Sequence, residues 1–232
     1  MISIIIPVYN EEKNIEQTIS NVFSALSTPD NLSEIILVDG HRENTTIQTK
    51  AFEKLSLAHP QLAALSSPKG RANQMNAGAQ LAKGDILLFL HADSHLPFEW
   101  DSEVLSLLNP KCRSGAFSLK IDSSHPFLKW VSFSTTLRSR IHSIPYGDQG
   151  IFVDRNLFFE IGMFGEMPLM EDIDLMKKLR KKTKVRISKL KILTSSRRWK
   201  KEGYIKCTLR NRALSALFTF GVSPNYLVKF YR

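Results

Sequence analysis

Residues 2–8, ISIIIPV, set the first limit on the fold. A run this rich in β-branched side chains, with almost no polar alternation, makes a strand covered on both faces, as in parallel sheets flanked by helices. The next ninety residues repeat the theme. Ile15, Ile19, Val22, Phe23 and Leu26 share one face of a helix that Asn10 is expected to cap. A second strand covers 34–38 and ends at Asp39-Gly40. A weaker helix follows over about 45–57, and a short strand over 62–65. Behind the Pro68-Lys69-Gly70 turn come a helix over 71–81 and a strand over 86–90. Strand and helix alternating at this spacing predict a doubly wound α/β sheet.

The later chain is less regular. Helices are expected over 99–108, 126–141, 156–161 and 171–182, with an extended piece at 115–121. The turn Gly147-Asp148-Gln149-Gly150 leads into a strand at 151–153. Two short strands, 184–187 and 190–194, precede a last helix over about 202–220. No repeat and no low-complexity linker divides the chain, so residues 1–232 are expected to form one domain. Its first half is about 1–95, its second about 96–200, and a basic C-terminal segment fills about 201–232.

Charge is distributed unevenly. Residues 1–175 carry 14 Lys and Arg against 21 Asp and Glu, whereas 176–232 carry 18 against Glu202 alone, giving +10 overall. A basic segment of this kind suits an anionic partner, or simply keeps the chain soluble. Cys112 and Cys207 are far apart and form no metal motif, which points to a reducing compartment and a cytoplasmic protein. The chain begins directly in a strand, with no basic leader, and no apolar run reaches the roughly 20 residues needed to cross a bilayer.

Ligands of doubly wound sheets bind beyond the carboxyl ends of the strands. Three such ends are polar: Pro7-Val8-Tyr9-Asn10-Glu11, Asp39-Gly40 and His91-Ala92-Asp93. Asp93 is a candidate ligand for Mg²⁺ or Mn²⁺ held mainly through substrate phosphates, with His91 a weaker second. Asp93 and Ser94 would equally well cap a turn. Glu171-Asp172-x-Asp174 opens a helix, where carboxylates are favoured in any case; one of them facing a cleft would serve as general base. Position alone does not choose between Glu171 and Asp172. Arg197-Arg198-Trp199 offers two guanidinium forks for phosphate and a ring to close a pocket. Lys69, Arg71, Asn73 and Asn76 add donors. No compact zinc ligand set, glycine-rich phosphate cradle or G-x-S-x-G elbow is present.

Together these motifs resemble the family 2 glycosyltransferases of the GT-A fold. The resemblance runs through residues 4–12, Val38-Asp39-Gly40, Lys69-Gly70-Arg71-Ala72-x-Gln74-x-Asn76-x-Gly78 and Gly84-Asp85-x-x-x-Phe89-x-His91-Ala92-Asp93. It continues through Gly147-Asp148-Gln149-Gly150, Glu171-Asp172-x-Asp174-Leu175 and Ser196-Arg197-Arg198-Trp199. The form with His-Ala-Asp, Gly-Asp-Gln-Gly, Glu-Asp-x-Asp and Arg-Arg-Trp is similar to a short bacterial subgroup. The resemblance implies a mostly parallel central sheet with a basic strand-and-helix elaboration at its C-terminal end. It also implies an inverting, divalent-metal-assisted hexosyl transfer from a nucleoside-diphosphate sugar, a UDP-sugar by preference.

Site roles come from the same likeness. Pro7, Tyr9, Glu11 and Asp39 would hold base and ribose, with Arg71 and Gln149 also on the donor. Asp93 would hold Mn²⁺ or Mg²⁺. Asp172 would be the base, with Glu171 nearer the acceptor, and Arg197, Arg198 and Trp199 would close over the diphosphate. His91 departs from the commonest pattern, in which an Asp stands there, so the usual ribose contact and the usual metal preference do not carry over to it. The acceptor class stays open between lipid-linked and small molecules. The C-terminal segment is expected either to meet an anionic membrane surface or to pack on the domain. No nucleic-acid partner is expected; the rival readings are a non-catalytic nucleotide- or nucleic-acid-binding module and a nucleotidyltransferase.

Overall fold

The computed structural model describes residues 1–231. Among them, eight strands form one sheet in the order β3-β2-β1-β4-β7-β6-β8-β5. In chain order, β1 (Ile2–Val8), α1 (Ile15–Ser24), β2 (Leu32–Asp39), α2 (Lys50–Ala58), β3 (Leu62–Ser66), α3 (Arg71–Leu81) and β4 (Ile86–Phe89) build the doubly wound half. Strands β1 to β4 pair in parallel, and β1 lies between β2 and β4, which makes its carboxyl end the switch point where crevices form. Isoleucines 2, 4, 5 and 6 are all fully buried, because helices cover both faces of β1.

The rest of the sheet is mixed. It contains β5 (Ser94–His95), α4 (Trp100–Leu107), β6 (Ser114–Asp122), α5 (Pro126–His142), β7 (Ile151–Asp154), α6 (Arg155–Glu160), α7 (Glu171–Arg180) and β8 (Val185–Ser195). Strand β7 runs antiparallel to β4 and β6, and β8 runs parallel to β6. The short β5 pairs antiparallel with the end of β8, bringing Thr194 against Ser94 and so the residues after β8 against Asp93.

Several local expectations change. Asn10 does not cap α1: it sits in left-handed backbone at φ 57°, and Asn14 holds the cap position. The second helix starts late, at Lys50, because the Thr49 side chain accepts a hydrogen bond from the Phe52 N–H and fixes its start. The two short strands near 184–194 are one strand, β8. Its pairing with β6 shifts register between Ala116 and Ser118, and the Ser118 hydroxyl donates to the Ser188 carbonyl at 2.6 Å across the irregularity. The last expected helix keeps nearly its bounds as α9 (Tyr204–Thr219), and Gly203, φ 89°, sets it off from an unexpected short helix, α8 (Arg197–Glu202), with α10 (Pro224–Leu227) following.

No helix among the described residues is long and apolar enough to cross a membrane. Both cysteines are buried and free.

Candidate active site

A cavity of about 390 Å³ opens beyond the carboxyl ends of β1 and β4, within the usual range for small-molecule sites. Pro7, Tyr9 and Glu11 reach it from the end of β1, Arg71 and Gln74 from the start of α3, and His91 and Asp93 from the end of β4. Asp148 enters from the turn before β7, Asp172 from the first turn of α7, and Arg197, Arg198 and Trp199 from the segment after β8. Residues 93 and 172, remote in sequence, therefore share one space.

Gln74 builds the floor. Its Nε2 donates to the carbonyls of Val8 and Val38, 2.7 Å each, tying the ends of β1 and β2 together. Gly40 is required beside it, because a Cβ there would lie 2.8 Å from the Gln74 side chain. Gly147 performs a similar service at the opposite wall. Its N–H donates to Asp172 Oδ2 at 2.7 Å, and a Cβ on it would stand 3.0 Å from His91 Nε2. The other Asp172 oxygen accepts from the Ile173 N–H at 2.7 Å, so the carboxylate is oriented by backbone on both sides.

The cations are already paired. Arg197 grips Glu11 through two hydrogen bonds, of 2.6 and 3.0 Å, while its Nε stands 3.3 Å from Asp93 Oδ2. Burial pushes the Asp93 carboxyl up against the opposing pull of Arg197. Arg198 stacks on the Tyr231 ring at 3.9 Å and also pairs with Glu202. Trp199 donates from Nε1 to the Thr208 hydroxyl at 3.1 Å, which seats its ring between the cavity and α9. His91 is pushed down to about 4 by burial and by the nearby Arg71, which leaves a neutral imidazole at pH 7.

A divalent ion fits this donor set. Glu11 and Asp93 converge on one guanidinium, a cation standing in for another, and His91 offers a neutral nitrogen on the same cavity. Among the described residues there is no group of three His, Cys, Asp or Glu arranged to hold a metal alone. Such an ion would take its remaining ligands from substrate phosphate and water, as Mg²⁺ and Mn²⁺ commonly do.

Three expected site residues face elsewhere. Gln149 is fully buried: it accepts from Ser139 and the Tyr146 N–H and donates to the Phe117 carbonyl, which spends its amide on holding the turn. Asp39 is buried as well, accepting from the backbone N–H groups of His41, Thr46 and Ile47, so it shapes the loop after β2. Glu171 points inward, and its Oε1 meets Arg71 Nε at 2.7 Å. That ion pair keeps Arg71 protonated and aimed along the cavity wall, while burial pushes the Glu171 carboxyl up.

The residue missed was Asp148. Burial and the neighbouring Asp172 raise its carboxyl to about 7, and its Oδ1 is buried with no hydrogen-bond partner. The tetrapeptide Gly147-Asp148-Gln149-Gly150 contained the signal. A turn sequence does not reveal which of its side chains points inward, however.

A family model described as glycosyl transferase family 2 matches residues 3–164, more than half of the chain. The chain belongs to glycosyl transferase family 2. The match ends before Asp172 and the Arg197-Arg198-Trp199 segment, so those positions rest on the geometry above. An undecaprenyl-phosphate 4-deoxy-4-formamido-L-arabinose transferase of Shewanella sediminis is 31% identical over 99 residues, 42% of this chain and 30% of that protein. The chain thus aligns with about a third of the length of such curated relatives.

Two solved structures show the same fold as this family 2 chain. The mannosyltransferase PcManGT from Pyrobaculum calidifontis, in complex with GDP-Man and Mn²⁺, has a TM-score of 0.71 at 20% identity, covering 97% of this chain and 66% of that one. S. aureus TarS 1-349 has a TM-score of 0.67 at 15% identity, covering 99% and 69%. At these identities the likeness speaks for fold: a GT-A-like domain with a mixed, mostly parallel sheet. Sugar transfer is the activity that the family membership supports.

Proposed function

We propose that the chain moves a hexosyl group from a nucleoside-diphosphate sugar to an acceptor hydroxyl, with inversion at the anomeric carbon. The observation that carries this reading is the meeting of Asp93, Arg197 and Asp172 on one cavity of small-molecule size. Pro7 and Tyr9, at the end of β1, form the wall for the base. Arg197 exchanges its carboxylate partners for diphosphate oxygens, which a planar guanidinium engages in the same paired geometry. Arg71, held by Glu171, supplies fixed positive charge along the wall.

A divalent ion bound at Asp93, with His91 beside it, would offset negative charge on the leaving diphosphate. Asp172 accepts the proton of the attacking hydroxyl as that oxygen bonds to the anomeric carbon. The bond from that carbon to the diphosphate oxygen breaks, and its electron pair leaves with the nucleoside diphosphate. One displacement suffices and no sugar-enzyme bond forms.

A thermal-shift panel of UDP-, GDP- and dTDP-sugars, with and without Mn²⁺, tests the donor class; no shift with any of them removes the reading. Asp172→Asn is expected to keep the donor-induced shift while transfer falls by about 10²- to 10⁴-fold. Unchanged turnover in this variant would refute the base assignment.

A further inference from the structure

Helix α5 divides its apolar side chains between two faces. Leu128 and Val131 are buried beside Ser132, Thr135 and Ser139, while Trp130, Phe133, Leu137 and Ile141 stand outside, with Phe133 and Ile141 65% and 67% exposed. Spacings of three, four and four residues put these four on one stripe. Helix α9 does the same. It buries Cys207, Thr208 and Leu214 and exposes Ile205, Leu209 and Leu217, and Phe220 at its end is 87% exposed.

The two helices adjoin. Arg212 of α9 donates to the Ser134 hydroxyl of α5 at 2.6 Å and lies over the Trp130 ring at 4.9 Å. Neither helix contains an acidic residue, and exposed Lys129, Lys200, Lys201 and Lys206 lie along or beside them. The one carboxylate beside these lysines, Glu202 of α8, is paired with Arg198 and Arg210. Apolar stripes bordered by cations, with no carboxylate on either helix, are what an interfacial helix on an anionic bilayer presents.

Between α5 and α9 lies a second cavity, of about 690 Å³. Tyr146, Asp148, Ile173, Trp199, Asn211 and Ser215 line both cavities, so the second runs into the catalytic one. Leu119, Val131, Ile144 and Phe220 give it apolar walls, and Asp148 is the one carboxylate lining it among the described residues. Arg138 stands close to the junction, its guanidinium 3.7 Å over the Tyr146 ring. The passage thus leads from an apolar, basic outer surface, past an arginine, to the proposed base.

We propose that this passage is the acceptor site. It takes a lipid with a hydrocarbon chain and an anionic headgroup, drawn from an anionic bilayer on which the outer faces of α5 and α9 rest. The proposal rests on the transferase reading for the meaning of "acceptor", but the outer faces of α5 and α9, which flotation reads, are separate from the donor site. Charge and apolar faces together select the occupant: a bilayer of anionic lipid satisfies both, whereas free phosphate leaves the stripes exposed.

The test is flotation of the full chain with phosphatidylglycerol-containing vesicles and with purely zwitterionic ones, at low and high salt. Wild type is expected to float with the anionic vesicles and to lose roughly tenfold or more of that binding at high salt or on zwitterionic lipid. Phe133→Asp and, separately, Leu209→Asp are expected to abolish flotation while keeping the donor-induced thermal shift; both positions are exposed, so the fold tolerates them. Dodecyl phosphate is expected to raise the melting temperature where inorganic phosphate does not.

Donor binding without flotation or a dodecyl phosphate shift overturns the lipid site and leaves the transferase reading standing. Flotation with no response to any nucleotide-sugar does the reverse. A dimer in solution that Phe133→Asp splits, with no flotation, assigns the face to a second copy and overturns the proposal.

Discussion

Asp148 and Asp172 place two carboxyl groups on one wall of a cavity, and only Asp148 has an oxygen buried without a partner. Charging it inside the fold is costly, because burial and Asp172 both oppose the anion and lift it from 3.8 to about 7. Between those pH values the folded chain keeps a proton that the unfolded chain has released. Stability should therefore fall as pH rises through that window and level off above it, by at most a few kcal/mol. Asp148→Asn removes the group that charges. Its melting temperature is expected to match wild type near pH 4 and to exceed it near pH 8; equal temperatures at pH 8 would mean that Asp148 ionises freely. Asp93 could be placed at the cavity from the sequence because it follows the end of a buried strand, whereas the start of a helix did not choose between Glu171 and Asp172, and the resemblance alone pointed to Asp172. Asp148 could not be placed, since direction within a four-residue turn depends on backbone angles that composition does not disclose.

At the scale of elements, the site depends on how strand ends are held apart and together. Helix α3 contributes more than a cationic wall: Gln74 adds a side-chain donor to the Val8 and Val38 carbonyls where the β1–β2 ladder ends, beside the Gly40 N–H that already bonds Val8. Gln74→Leu would leave the Val8 and Val38 carbonyls without that donor, at a cost of about 1–3 kcal/mol. Chemical denaturation should show this loss together with weaker donor binding, because the loops carrying Tyr9 and Glu11 leave from the same strand end. Undiminished donor affinity would separate the clamp from the site. The alternation of strands and helices in the first ninety residues could be read directly, since fully buried strands leave uninterrupted apolar runs. Strand β8 could not be read as one element, because Ser188, Lys189 and Leu190 interrupt its pattern where the pairing with β6 shifts. The faces of α5 were equally hidden: an apolar stripe reads the same whether it meets a core or the outside, and only packing on β6 shows that the face with Leu128, Val131 and Ser132 lies inward.

Across the whole molecule, the basic C-terminal part is joined to the wall of the cavity that carries Asp172. Leu214 of α9 and Leu227 of α10 pack with Leu169, Met170 and Ile173, the residues that lead into and follow Asp172 on α7. Arg198 adds a second tie by stacking on Tyr231, so the end of the chain closes one side of the cavity. The apolar side of this segment is therefore divided: one part packs against α7, and the other faces outward beside α5. Leu227 is fully buried, and Leu227→Ala should cost about 2–5 kcal/mol through lost contacts and the space left behind. The same change should lower transfer by more than it weakens donor binding, since it loosens the start of α7 and leaves the ends of β1 and β4 alone. Donor titration and turnover measured on one preparation distinguish the cases. An equal loss in both would place α10 in general stability, whereas a loss concentrated in turnover would show that the late, basic segment positions the base.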